Sequence, residues 1–292
     1  MPRILFIALP SDLNKAADLS NPEAAAATPR RAVAGIGRVL LWSGGSLWIG
    51  RDTGRIDAHA HHAIQIALTM DSHFRVAAGD GDWRDHRGAV VMPHRRHRFD
   101  GCGQRTAMIF VEPETAQGRV LLERYGASDV TDMPLDTAET LVAPLRAAYL
   151  AAAAKDALIA RAHDAIAALA GRGSAEGGVD PRIGRAISWV RSRLGERMSL
   201  NDAAAIAHLS PSRFRHLFVA QTGVSFRAYV LWARVGAAVG AAMNGQSWTA
   251  AAQEAGFADS AHLSRTCRRM FGIAPANLVE EQVPSTRRPH SR

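Results

Sequence analysis

The sequence predicts an α+β chain: a small antiparallel β-barrel followed by helices, then an all-α part holding two helix-turn-helix units. Three observations predict it. Short runs rich in β-formers, separated by Gly, Asp and Pro, occupy residues 38–111. Apolar spacing of three and four residues takes over after them. The charge is also lopsided: residues 180–292 hold 15 Arg against 7 Asp and Glu, while residues 1–179 balance at 20 against 20. The net +8 therefore belongs to the C-terminal part. A neutral part joined to a basic one fits a sensing or assembly module attached to a polyanion binder.

The 292 residues suffice for two domains with separate cores, and 47% hydrophobic with 21% charged residues is a globular composition. No apolar run approaches the roughly 20 residues of a membrane span. The stretch Ile4–Leu9 before Pro10 lacks the length and cleavage pattern of a signal peptide. Cys102 and Cys267 make neither a disulfide framework nor a multi-thiolate zinc site, so a reducing cytoplasm is the expected location.

Residues 1–35 read as a flexible arm, low in complexity at Ala24–Ala27. The barrel is expected over 36–115, with strands at Arg38–Trp42, Ser46–Arg51, Ala63–Met70, His73–Ala77, Ala89–Met92 and Thr106–Val111. Residues 116–171 read as a helical segment. It comprises a short helix near 114–126 and two alanine-rich helices, about 137–153 and 155–170. Leu141, Leu145, Ala148 and Ala152 form one stripe, and Leu158, Ala162, Ile166 and Leu169 the other. Pro144 either kinks the first of these or marks its start. The pair either caps the barrel or meets a second subunit, which admits a homodimer. Gly-rich residues 172–179 read as a linker, 180–280 as the helical domain and 281–292 as a basic tail.

Within 180–280, Ser199–Asp202 resembles a capping box opening a helix over Leu200–Ala207. Ser210-Pro211 then starts a helix to about residue 221 that buries Phe214, Leu217 and Phe218. Its outer face carries Ser212, Arg215 and His216, with Arg213 to the side. The plan repeats. Ser247 caps a helix to about Ala255, a turn follows, and Asp259 caps a helix to Met270 that buries Leu263 and Cys267. Its outer face carries Ser260, Ala261, Ser264, Arg265 and Arg268. Short side chains near a helix start allow close approach to base edges, and Arg supplies guanine and phosphate contacts. Ser225–Asn244 reads as one connecting helix of roughly 30 Å, near the ~34 Å between successive major-groove faces. Double-stranded DNA is the expected partner.

These residues resemble a known family. The segments Ser210–Phe218, Thr222–Phe226 and Ala255–Pro275 are similar to the DNA-binding domain of the AraC/XylS transcription regulators. The resemblance implies that Ser212, Arg215 and His216 face bases in one groove, and Ser260, Ala261, Ser264 and Arg265 face the next. It also admits RNA polymerase as a partner. Two departures stand out. Cys267 replaces a usual aromatic, and Gly236 and Gly240 interrupt the connecting helix, each at roughly 1 kcal/mol relative to Ala. A softer connector is expected.

The barrel is rich in histidine: Asp57-Ala-His59-Ala-His61-His62, then Pro93-His94-Arg95-Arg96-His97. On one strand His59 and His61 share a face, and His97 on a neighbouring strand adds a third imidazole for zinc, iron, nickel or another divalent metal. The segment 56–115 resembles the cupin motifs and the cupin-like sensor domain of AraC regulators, which implies an effector pocket at His59, His61, His62 and His97. Ile66, Ala67 and Leu68 stand where the fourth cupin ligand, a Glu, is customary, so a metal-free pocket is the alternative. The arginines beside His94 form either an anion-attracting edge or a solvated one.

The expected function is a sequence-specific DNA-binding transcription regulator controlled by an unidentified effector or partner through the barrel. It is not an enzyme: no Ser/His/Asp arrangement, phosphate-binding glycine loop or carboxylate pair supports chemistry. The alternative is a cupin-type metalloenzyme carrying a DNA-binding domain. Two cysteines are too few for a DNA alkyl-repair protein.

Overall fold

A computed structural model describes residues 35–52, 54–171 and 178–280. The arm to residue 34, linker residues 172–177 and the tail from 281 lie outside the described residues. The strands are β1 (Gly35–Trp42), β2 (Gly45–Asp52), β3 (Arg55–His59), β4 (Ile64–Thr69), β5 (Phe74–Ala78), β6 (Arg84–His86), β7 (Gly88–Val91), β8 (His97–Asp100), β9 (Arg105–Val111), β10 (Val130–Asp132) and β11 (Leu278–Glu280). The helices are α1 (Ala116–Tyr125), α2 (Leu135–Leu150), α3 (Lys155–Ala170), α4 (Pro181–Arg191), α5 (Leu200–Ile206), α6 (Pro211–Thr222), α7 (Phe226–Met243), α8 (Trp248–Glu254) and α9 (Ser260–Phe271). The class is α+β, as the sequence predicts.

The barrel is not closed. Its strands divide into a seven-stranded sheet, ordered β10-β7-β4-β9-β2-β1-β11, and a four-stranded sheet, ordered β3-β8-β5-β6. All pairings are antiparallel except that of β1 with β11, where Gly35 pairs with Leu278. Among the described residues, the last strand thus extends the sheet begun by the first. β10, which follows α1, extends the opposite edge against β7.

Alternation along β4 explains how the layers stack. Ile64, Ile66 and Leu68 join Leu47, Ile109, Leu145 and Ile166 in a core beneath α1–α3. Ala67 faces the other way, toward Phe74, Phe99 and Phe110 between the sheets. Every residue of β4 is buried, as a central strand covered on both faces requires. The stripes of α2 and α3 therefore cap the sheet within the chain. Pro144 lies inside α2, which starts nine residues earlier at Leu135.

The helical part divides unequally. α4–α6 and the start of α7 enclose a core of their own, with Ile183, Val190, Phe214, Phe218, Phe226 and Tyr229. The rest of α7 with α8 and α9 instead shares the inter-sheet core: Val239, Ala252, Phe257, Leu263, Cys267 and Phe271 cluster with Phe99 and Phe110.

Candidate nucleic-acid interface and sensor cleft

In the first unit, Ser199 and Asp202 form the reciprocal capping box that opens α5. The Ser210 hydroxyl accepts from the Arg213 backbone N–H and Pro211 fills the first turn, so α6 starts where its N–H groups are satisfied. Phe214 and Phe218 are buried with Leu217 half-buried, and Ser212, Arg213, Arg215 and His216 are exposed. In the second unit, Ser247 caps α8, and the Asp259 carboxylate accepts from the His262 N–H at 2.6 Å to open α9. Leu263, Thr266, Cys267 and Phe271 turn inward. Ser260, Ala261, Arg265 and Arg268 are exposed and Ser264 is half-buried. Among the described residues, no carboxylate pairs with Arg213, Arg215, Arg265 or Arg268. Their charges are free for an external anion. α7, with 18 residues, separates the units by about 27 Å of helix.

Both helices end on a left-handed glycine, and both glycines lie against the N-terminal sheets. Gly223 (φ +77°) ends α6, where an added Cβ would lie 3.3 Å from His94 Nε2. Gly272 (φ +71°) ends α9, where a Cβ would lie 2.7 Å from the Asp57 carbonyl and 3.0 Å from His59 Nδ1. The preceding Phe271 stacks on Trp48 at 4.9 Å and meets Phe110 edge-on at 5.7 Å. Gly240 of α7 lies against the Leu41 side chain of β1, which must move if a Cβ is added there. The sequence reading missed these contacts because each joins segments more than a hundred residues apart.

The first unit meets the N-terminal part through charge. Arg191 at the end of α4 pairs with Glu112 and reaches the Tyr229 hydroxyl at 3.3 Å, while Trp232 Nε1 donates to Glu112 at 3.2 Å. Glu114 faces His62 at 2.9 Å. Burial, then the Glu114 charge, pushes the Glu112 carboxyl up to about 7. Burial acts on Glu114 in the same sense, but the hydrogen bond with His62 and that ring's charge outweigh it and hold it low. Sequence reasoning missed Glu112 and Glu114. Two carboxylates at alternate positions after an apolar strand were the available signal.

An apolar cleft opens where the small sheet, β1, β2 and α9 meet, about 730 Å3 including its mouth. Trp48, Met108, Phe110, Phe271, Gln65 and His59 are among its walls. His59 reaches the cleft wall, and behind it His59, His61 and His97 stand together, all buried, with one ligating nitrogen from each within 4.8 Å of the others. The route to this cluster differs from the expected one. His59 ends β3 and pairs with His97 across β8, but the strand stops there, and His61 sits in the connector to β4. It is held by Nδ1 to the Ala63 carbonyl, 2.7 Å, and Nε2 to Gln65, 2.9 Å. His62, expected in the same pocket, turns away to Glu114. The arginines are engaged separately: Arg95 pairs with Asp129, and Arg98 lies over Trp83 at 5.1 Å.

Comparison with known proteins agrees with this architecture. Residues 203–281 match a family model described as a helix-turn-helix domain. The uncharacterized HTH-type transcriptional regulator YidL of Escherichia coli K12 is 32% identical over 123 residues, 40% of this chain and 41% of that protein. The chain thus spans less than half the length of this curated relative. Among solved structures, ToxT from Vibrio cholerae O395 superposes with a TM-score of 0.51 at 10% identity, over 84% of this chain and 94% of that one. An apo single-residue variant of ToxT from Vibrio cholerae strain SCE256 gives 0.54 at 10% identity, over 82% and 97%. ToxT bound to (E)-4-(8-methylnaphthalen-1-yl)but-3-enoic acid gives 0.52 at 9% identity, over 80% and 97%. At such identity the likeness is one of fold. The class so defined is a helix-turn-helix protein with a sheet-rich N-terminal part. More closely, residues 203–281 form a helix-turn-helix domain, and the chain shares the fold of ToxT.

Proposed function

We propose that the protein is a sequence-specific DNA-binding transcription regulator whose two units read successive major grooves. The observation that carries this is the pair of capped helices, α6 and α9, each presenting exposed and unpaired arginines at the two ends of α7. Ser212, Arg215 and His216 face bases in one groove, and Ser260, Ala261, Ser264 and Arg265 face the next. Arg213 and Arg268 neutralise phosphates. The apolar cleft takes a small effector, and its wall Phe271 transmits occupancy to α9. The chain acts in the cytoplasm, without catalytic activity, on duplex DNA near RNA polymerase, singly or as a homodimer. Among the described residues, no helix is long and apolar enough to cross a membrane.

The test is a salt titration of duplex affinity combined with base-by-base selection. Log affinity should fall steeply with log salt. Arg215→Ala and Arg265→Ala should each cost roughly 1–3 kcal/mol and relax preference at one base position. Salt-independent affinity, or unchanged selectivity in both variants, would overturn the proposal.

A further inference from the structure

The two helix-turn-helix units touch each other directly, and the contact is made by backbone. Gly195, in the turn from α4 to α5, would place a Cβ 2.8 Å from the Glu254 carbonyl oxygen. Gly256, in the turn from α8 to α9, has φ +80° and would place one 2.4 Å from the Leu194 carbonyl oxygen. Each turn thus presents a glycine to the main chain of the other, an approach that a residue with a Cβ does not permit. Arg234, midway along α7, secures this contact. Its Nε donates to the Leu194 carbonyl at 2.9 Å and its Nη2 to the Glu196 carbonyl at 2.7 Å. The same guanidinium lies under the other turn, with Cζ and Nη2 each 2.9 Å from where a Gly256 Cβ would stand. Among the described residues no carboxylate pairs with Arg234, and partial burial disfavours its charge. Two charge-assisted bonds from one planar fork fix both the distance and the orientation of the turn they hold. The connecting helix offers less: two residues further on, a Cβ at Gly236 would meet nothing within 4 Å.

We propose that Arg234 is a positioning residue that locks α6 and α9 at one spacing and phase, so that the chain selects DNA sites by the distance between two half-sites as well as by their bases. The proposal rests on the two-groove reading above. A loose joint lets each unit settle on its own half-site over a range of spacings, whereas a stiff one requires the matching spacing and binds it more tightly. One inserted base pair moves a half-site by about 3.4 Å and turns it by roughly 34°. A clasped pair follows neither displacement without parting Gly256 from Leu194. The clasp holds the start of α9, where Ser260 and Ala261 stand, while Phe271 lines the cleft at its far end. Movement of Phe271 therefore tilts α9 about its clasped start and leaves the spacing of the units in place.

The experiment uses the full-length chain and a duplex it selects from random sequence, then lengthened or shortened by one base pair between the half-sites. Wild type should lose affinity roughly tenfold or more on either change. Arg234→Met keeps the apolar stem and removes the donors. Its loss should shrink to roughly threefold or less, with affinity for a duplex carrying one half-site within about twofold of wild type. Gly256→Ala drives a Cβ against the Leu194 carbonyl and should relax spacing in the same way with Arg234 intact. Wild type indifferent to spacing would overturn the proposal without recourse to a variant, and so would full discrimination in both variants. Spin labels at Ser212→Cys and Arg265→Cys, with Cys102 replaced by Ser and Cys267 buried, give a reading without DNA. The distance distribution should be narrow and should broaden in Arg234→Met; equal widths would overturn the clasp. Absence of salt-dependent duplex binding in wild type would sink the two-groove reading and leave the label distances to decide the clasp alone.

Discussion

Gly236 and Gly240 lie one turn apart in α7 and should respond to the same substitution with opposite signs. At Gly236 an added Cβ meets nothing within 4 Å. Gly236→Ala should therefore gain the helix-propensity difference, roughly 0.5–1 kcal/mol. At Gly240 the Cβ would lie 2.3 Å from Leu41 Cδ1, so the leucine must rotate away. Leu41 is 38% exposed and has an outlet, but leaving α7 forfeits part of the roughly 1.5–3 kcal/mol that a fully buried leucine contributes. The loss offsets the propensity gain, and Gly240→Ala should be no more stable than the parent. Urea denaturation followed by circular dichroism should separate the variants by about 1 kcal/mol, or roughly 2–4 °C in Tm. Equal stabilisation would refute the reasoning, because it would mean that α7 is not seated on β1. The glycines that look like softening points thus divide into one that softens and one that fits.

Two further outcomes follow from the sensor contacts. Glu112 titrates near 7 in the folded chain against an ordinary value of 4.5, so the folded state retains a proton that the unfolded state loses. That contribution is complete below pH 4.5 and is lost as pH rises toward 7, by up to about 1.4 kcal/mol per unit. Glu112→Gln should flatten the fall in stability between pH 5 and 7, and parallel Tm–pH curves would contradict the assignment. Gly272→Ala and Gly223→Ala both force Ala into φ above +70°, at about 1–2 kcal/mol each. Only Gly272 also meets backbone, the Asp57 carbonyl at 2.7 Å, whereas Gly223 meets the His94 side chain at 3.3 Å. Gly272→Ala should be the more destabilising in urea; the reverse order would mean that α9 does not close on β3.

Legibility followed the length of each pattern. β1, β2, β4, β5, β7 and β9 carry runs of β-formers, and all were readable to within a few residues at each end. β6 (Arg-Asp-His), β8 (His-Arg-Phe-Asp) and β10 (Val-Thr-Asp) are three or four residues long and mostly polar. They exist because a neighbour offers them a ladder, which is a tertiary fact. β11 pairs with a strand some 240 positions earlier, beyond any local signal. The helical third was legible nearly throughout because caps, apolar spacing and αL glycines agree there. In the barrel, histidine spacing identified His59, His61 and His97, but assigned them to strand alternation. The chain instead leaves the sheet after His59, and a turn held by the Ala63 carbonyl returns His61 to its neighbours. The same turn sends His62 the other way.

The two units are tied to the N-terminal sheets by different forces, and this decides what can move them separately. α4, α6 and the start of α7 have their own core and touch the sensor through Glu112–Arg191, Arg119–Gln221 and the His94–Gly223 approach. Of these only Glu112–Arg191 is an ion pair, which protonation of Glu112 neutralises. α9 has no separate core to retreat into: Leu263, Cys267 and Phe271 pack among the sheet residues that wall the cleft. A molecule entering that cleft must repack Phe271 or use the space it lines, and a close-packed interior passes such a change on instead of absorbing it. Under the proposed reading, occupancy of the cleft acts first on α9, whose Phe271 lines it, while α6 has no residue in its wall. An occupant shifts DNA affinity only as far as it distinguishes two seatings of α9, so the energy at stake is its differential fit against Phe271, not its total affinity.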